Sequence, residues 1–193
     1  MVNSLDPRVK RTRRLIQRSF WDLMKKNGYE AVTVSDVTNK AGINRATFYA
    51  HYSDKADVLS DLAATAFLGL VPASLKGAAV FNEDTCAAFV ELTNAYVESF
   101  YEVCRFDDKS YALQIDGKMR KCFFELVQTV MVKDPDIPTA GLSAVLVSSA
   151  IYGAAFHAYL ENDQIDEKLP QKITPFVMRG LGRDESNPRK RLS

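Results

Sequence analysis

Hydrophobic positions along this 193-residue chain recur at spacings of three and four. No run alternates apolar and polar residues with β-branched enrichment, so nearly everything predicts helix. Asp6 before Pro7 predicts a helix start, with a carboxylate N-cap and a proline in the first turn. That helix extends to about Asn27, keeps Ile16, Phe20, Leu23 and Met24 on one face, and ends at Gly28. Thr33 and Asp36 form a capping box for a short helix whose Val34, Val37 and Ala41 face inward, and Gly42 supplies the next turn. A third short helix starts at Asn44 and ends near Tyr52; Ser53 and Asp54 then cap a fourth that reaches about Leu70.

Beyond Pro72 a Gly/Ala-rich connection leads to a helix from Asn82 to about Cys104 and another from about Asp108 to Val132. The run Asp134-Pro135-Asp136-Ile137-Pro138 breaks the chain. A long helix to Glu161, a turn at Asn162-Asp163 and a last helix from about Glu167 to Leu181 complete an all-α pattern. Ile137 to Leu160 holds no Asp, Glu, Lys or Arg, nearly the length a spanning helix needs. Its prolines, serines, His157 and many small residues favour a buried or subunit-facing helix over a membrane span.

The third short helix carries the chemistry. At about 100° per residue, Phe48 and Tyr52 fall on one side, and Ala46, Thr47 and Ala50 on the other. Small outward side chains let a helix lie deep in the major groove of duplex DNA. There Thr47 offers a hydroxyl and a methyl, and Arg45 a fork that suits guanine or a phosphate. Tyr49 and His51 lie on the flanks, where the two phosphate strands would run, and Thr33 and Lys55 add donors. Charge agrees: residues 1–60 hold 11 Lys/Arg against 6 Asp/Glu, and the remainder 14 against 18. A basic head sits on a mildly acidic body, although the net charge is only +1.

The run T-V-x-D-V-x-x-x-A-G-I-N-R-A-T-F-Y-x-H-Y-x-D-K-x-D-V-L, within about Arg8 to Leu62, resembles the N-terminal signature of TetR-family one-component transcriptional regulators. The resemblance implies base reading by Asn44, Arg45, Ala46 and Thr47, and phosphate contacts from Thr33, Tyr49, His51 and Lys55. Ala50 is smaller than the residue many members carry there. The implied organisation is a helix-turn-helix DNA-binding domain over residues 1–56 and a helical ligand-sensing and dimerisation domain over 57–182. A basic, frayed tail follows over 183–193. The expected protein is a cytoplasmic homodimer, a repressor on a palindromic operator in double-stranded DNA, released by a small apolar or amphipathic effector. The alternative is a helical interaction protein of the same fold that has lost operator binding or ligand sensing.

In the body, Ala144, Val147, Ile151, Ala154 and Ala158 form a seam of small apolar residues, joined by Ile173, Phe176 and Val177 as the expected dimer interface. Phe89, Thr93, Tyr96, Phe100, Tyr111, Phe123, Tyr152 and Phe156 are the expected pocket lining. No catalytic residue, metal site or cofactor is expected. There is no H-E-x-x-H, G-x-S-x-G or phosphate-binding glycine loop, and only two histidines. Cys86, Cys104 and Cys122 are widely spaced and suit buried thiols in a reducing cytosol. The opening MVNSLDPRVKR has no apolar run behind its charges, so no signal peptide is expected.

Overall fold

The computed structural model describes residues 6–104, 110–137, 139–162 and 164–183, the side chains of 100–104 and 110–116 excepted. Every regular element among the described residues is a helix. They are α1 (Pro7–Asn27), α2 (Val34–Ala41), α3 (Arg45–Tyr49), α4 (Lys55–Leu70), α5 (Ala73–Gly77), α6 (Glu83–Cys104), α7 (Ser110–Met131), α8 (Ala140–Asn162) and α9 (Leu169–Gly180). The chain forms two compact units, residues 1–66 with 99–119, and residues 67–98 with 120–193.

In the first unit, local chemistry sets the helix ends. The Asp6 carboxylate accepts the Arg8 amide at 2.8 Å, and Gly28, at φ 80°, returns its N–H to the Met24 carbonyl. Thr33 and Asp36 close the capping box of α2 in both directions. Gly42 ends that helix in the left-handed region at φ 65°. A Cβ there would meet nothing within 4 Å, so the requirement for glycine is torsional rather than steric. Ile16, Phe20 and Met24 of α1, Val37 of α2, Phe48 of α3 and Val58 of α4 are fully buried together. Each such side chain contributes roughly 1.5–3 kcal/mol of hydrophobic stabilisation.

Helix α3 is shorter than its sequence predicts. It stops at Tyr49, and the His51 amide bonds the Phe48 carbonyl at 2.9 Å in a tightened last turn. That turn carries Tyr52 into the core, 2% exposed, against Phe48. The five-residue α5 is not visible in the sequence, because one turn is too short to show a period. It anchors through buried Leu75.

The core of the second unit is aromatic. Phe67, Phe81, Phe89, Tyr96, Phe123 and Tyr152 pack with successive ring centroids 5.6–6.1 Å apart, mostly edge to face. Cys86 is buried beside them as a free thiol whose pKa burial pushes up to about 11. That makes it a packing residue rather than a nucleophile. Cys122 is in no disulfide among the described residues, and the Cys104 side chain lies outside the described residues.

Helix α8 is long and apolar enough, by length and composition, to cross a membrane. Eight of its residues, from Ser143 to Phe156, are nevertheless buried within the unit. The residues of the expected dimer seam divide between the inner and outer faces of the unit. Ala144, Val147 and Ile151, with Val177 of α9, are buried inside one protomer, where small side chains let α8 approach its own neighbours. Ala154, Ala158 and Ile173 are half-buried, and of the expected set only Phe176 stands well exposed, at 68%. The outward face of α8 instead carries Leu142, Val145 and Leu146.

Arg183, the last of the described residues, is fastened to the second unit. The Arg183 guanidinium makes a bidentate pair with buried Asp134, at 2.7 and 2.8 Å, and donates to the Phe81 carbonyl at 2.6 Å. Asp134 also accepts the amides of Phe81 and Asp136, so a four-donor carboxylate fastens three segments. The Arg183 hydrogen bonds, opposed by burial, hold the Asp134 pKa below the usual carboxylate value. The rest of the predicted tail, 184–193, lies outside the described residues.

Candidate nucleic-acid interface

Helices α2 and α3, joined at Gly42, form a helix-turn-helix whose inner contacts are Val37, Ala41 and Phe48. Arg45, Ala46, Tyr49 and Ala50 are exposed, Thr47 and His51 half-buried, and Phe48 buried. The predicted division of α3 into a packing side and an outer side of small residues is therefore present. Tyr49 keeps 52% of its surface exposed while its ring meets Phe48 edge-on at 5.5 Å. Its hydroxyl is thereby offered outward from a ring with a fixed base. Arg45 forms no ion pair with any other described residue.

Other predicted contact residues have part of their bonding capacity taken up inside the head. The Thr33 amide and hydroxyl both donate to the Asp36 carboxylate, at 3.0 and 2.6 Å. Donors at the start of α2 are therefore its free first-turn amides and the exposed Ser35 hydroxyl, which its residue type alone did not single out. Asn44 Oδ1 accepts the Thr47 amide at 2.7 Å as the cap of α3, leaving its NH₂ for a base. The Lys55 ammonium donates to the Tyr29 and Glu30 carbonyls, at 3.0 and 3.1 Å, and lies 4.4 Å from the centre of the Tyr29 ring. Lys55 thus ties the start of α4 to the chain after α1. A phosphate contact would have to share its remaining donor. For His51, burial and then the Arg13 charge lower the pKa. At pH 7 it is a neutral imidazole that offers an N–H rather than a charge.

Beneath α3 lies a polar hub that residue spacing does not announce. Asp61 Oδ2 accepts from Arg13 at 2.7 Å, Gln17 at 2.7 Å and the Tyr52 hydroxyl at 2.9 Å, while Oδ1 faces Lys118 at 3.3 Å. The Arg13 guanidinium also stacks 4.6 Å over the Tyr52 ring. Burial would raise the Asp61 pKa, but donation from Arg13 and Tyr52, with the Arg13 and Lys118 charges, holds it below the usual value. Burial and the Asp61 carboxylate push the Tyr52 phenol far upward, so it remains a donor. One sequence clue exists: Asp61 has no base three or four residues away on α4, so its partners had to come from other elements.

Of the predicted ligand-pocket residues, Phe89, Tyr96, Phe123 and Phe156 are buried core side chains, and the Thr93 hydroxyl bonds the Phe89 carbonyl at 2.8 Å. Tyr152 is the member that also lines a surface groove. The side chains of Phe100 and Tyr111 lie outside the described residues.

The family model for bacterial regulatory proteins of the tetR family matches residues 21–62. The uncharacterized HTH-type transcriptional regulator YxbF of Bacillus subtilis is 44% identical over 59 residues, 30% of this chain and 16% of that protein. The HTH-type dhaKLM operon transcriptional activator DhaS of Lactococcus lactis is 39% identical over 49 residues, 25% of this chain and 26% of that one. The matched stretches thus span about a quarter or less of these relatives. The fold likeness extends further. A crystal structure of the transcriptional regulator FadR from Bacillus subtilis in complex with stearoyl-CoA covers 86% of this chain and 98% of its own. It does so with a TM-score of 0.53 at 14% identity. The family-model match falls on the head, where the α2 capping box, the Gly42 turn and the small outer face of α3 are built, and over residues 21–62 the chain is similar to the tetR family of bacterial regulatory proteins.

Proposed function

We propose that this protein is a sequence-specific, DNA-binding transcriptional regulator of the cytoplasm. In this reading it represses from a palindromic operator as a homodimer and is released by a small ligand. The observation that carries the reading is the outer face of α3. Exposed Ala46 and Ala50 leave room for a groove wall, Arg45 is not engaged by another described side chain, and buried Phe48 and Tyr52 hold the helix in place. In a gel shift with fragments of the source genome, the protein retains a subset that contains an inverted repeat and releases random duplex. Arg45→Ala then costs about 1–3 kcal/mol for each base pair that Arg45 reads and relaxes preference at one position per half-site. Equal retention of all fragments by the wild-type protein would sink the proposal. A uniform loss across sequences would move Arg45 to the phosphates.

The dimer in this proposal uses the outward face of α8 and α9 rather than the seam expected from sequence. Leu146, Ala150, Phe176 and Gly180 border a groove of about 380 Å³ between those helices, and Leu142 extends the apolar surface. Phe176→Glu is expected to give a monomer mass by light scattering and to weaken operator binding by roughly a hundredfold, as avidity disappears when the paired heads separate. A dimer mass in that variant would put the interface elsewhere.

A further inference from the structure

A groove of about 400 Å³ runs between α1 and α4 within the first unit, inside the size range of small-ligand sites. Arg14, Arg18 and Trp21, spaced four and three apart, come from one face of α1, and Leu62, Thr65 and Ala66 from α4. Trp21 is half-buried and is the sole tryptophan of the chain. Both arginines are exposed and make no hydrogen bond or ion pair with another described residue. No acid lies three or four residues from Arg14, and Asp22, four beyond Arg18, faces Lys40 at 3.2 Å instead. Lys25 holds its ammonium 5.6 Å from the centre of the Trp21 ring, so cations flank the indole on both sides along α1. Asp61, which accepts from the lining residue Gln17, is already answered by Arg13 and Lys118.

Like charges four apart on one helix face repel, so an anion between Arg14 and Arg18 attracts both and relieves the pair. The apolar lining narrows the choice of anion. A phosphate strand of duplex DNA would leave the indole and Leu62 uncovered. A lipid surface needs an apolar helix face, and that of α1, with Ile16, Phe20 and Met24, is buried in the core. A neutral ring leaves the arginines unanswered, and a cationic one is repelled. We infer that this groove binds a small aromatic anion, a flat apolar ring carrying a carboxylate or phosphate. The acid group meets Arg14 and Arg18, whose guanidinium groups can hold it in a fork, and the ring lies against Trp21 and Leu62. The site sits on the DNA-binding head itself, where Gln17 links the groove to the carboxylate that holds Tyr52. Its binding does not depend on the regulator reading above.

Titration calorimetry of the full chain with para-butylbenzoate and para-butylphenyl phosphate tests the binding. The alcohol para-butylbenzyl alcohol and the amine para-butylbenzylammonium serve as neutral and cationic controls. At least one of the two anions is expected to bind about tenfold or more tightly than both controls. Which anion does so identifies the acid group. Emission from Trp21 reports the place: it should shift over the same concentrations that calorimetry titrates. The double variant Arg14→Gln, Arg18→Gln is expected to lose the tenfold advantage while keeping its circular dichroism and its mass by light scattering. Ala66→Phe fills the groove without removing charge and is expected to weaken the bound anion as well. Equal binding of anion and alcohol, binding that leaves Trp21 emission unmoved, or undiminished binding by either variant overturns the inference. Failure of both anions to bind also overturns it; a double variant that then loses affinity for all duplexes alike would assign the two arginines to the phosphate backbone. A change in mass on the double substitution overturns it by giving the groove to a second copy of the chain.

Discussion

Arg183→Ala is expected to destabilise the second unit by about 3–5 kcal/mol, the usual result of removing one partner from a buried ion pair. The Asp134 carboxylate is 1% exposed and would lose both arms of the guanidinium fork, while the Phe81 carbonyl would lose its 2.6 Å donor. In a chain of this size each kcal/mol corresponds to roughly 2–4 °C, so the thermal midpoint should fall by about 6–20 °C. Arg183→Lys keeps the charge but not the bidentate geometry and should recover less than half of the loss. The pH dependence has a definite sign. The Asp134 pKa is depressed in the fold, chiefly by the Arg183 hydrogen bonds. Its contribution is therefore complete above the unfolded carboxylate value of about 3.9 and fades as pH falls through the lower folded value. Wild type and Arg183→Ala should accordingly converge in strong acid. An unchanged midpoint at pH 7 would show that the pair does not fasten the unit.

Asp134 and Arg183 also illustrate what sequence can and cannot reveal here. Caps are local, so Asp6, Thr33 with Asp36, Asn44, Gly28 and Gly42 could be read directly, and the bonds they make are the ones their residue types require. The phase of α8 could not be read the same way. Leu142, Val145 and Leu146 face outward, while Ala144, Val147 and Ile151 face inward. A helix apolar all round carries no periodic signal of which face is buried. The helix was legible in the sequence; its buried face was not. Arg183 and Asp61 were missed for another reason: their bonds span 49 residues in one case, and 44, 48 and 57 residues in the other. Only the closed fold brings such charges together. Lys55 lies between these cases. Its place after a cap was legible, but the Tyr29 ring and the two carbonyls that take up its ammonium were not.

Asp61→Asn is the substitution expected to affect both stability and DNA binding. The amide oxygen can keep one acceptor role, but Arg13 and Lys118 would then face each other around a neutral group, with Gln17 and the Tyr52 hydroxyl competing for the same oxygen. Losing hydrogen bonds to a part-buried charge should cost about 2–3 kcal/mol in urea unfolding at pH 7. The arms are unequal. Lys118 is 39% exposed in its pair, so Lys118→Ala should cost at most about 1 kcal/mol, and most of the loss belongs to Arg13 and Tyr52. Because the folded Asp61 pKa lies below the usual value, its advantage over Asn should be complete above the unfolded value of about 3.9. It should vanish as acid protonates the folded carboxylate. The effect on DNA follows from position. Tyr52 ends the turn after α3, three residues beyond Tyr49, and Asp61 bonds none of the residues proposed to read bases. Loosening it should weaken binding to all sequences alike, whereas Arg45→Ala should change which base is preferred. A shift in base preference in Asp61→Asn, or a stability difference that persists in strong acid, would show that the carboxylate does not act by anchoring Tyr52 and α1 beneath the recognition helix.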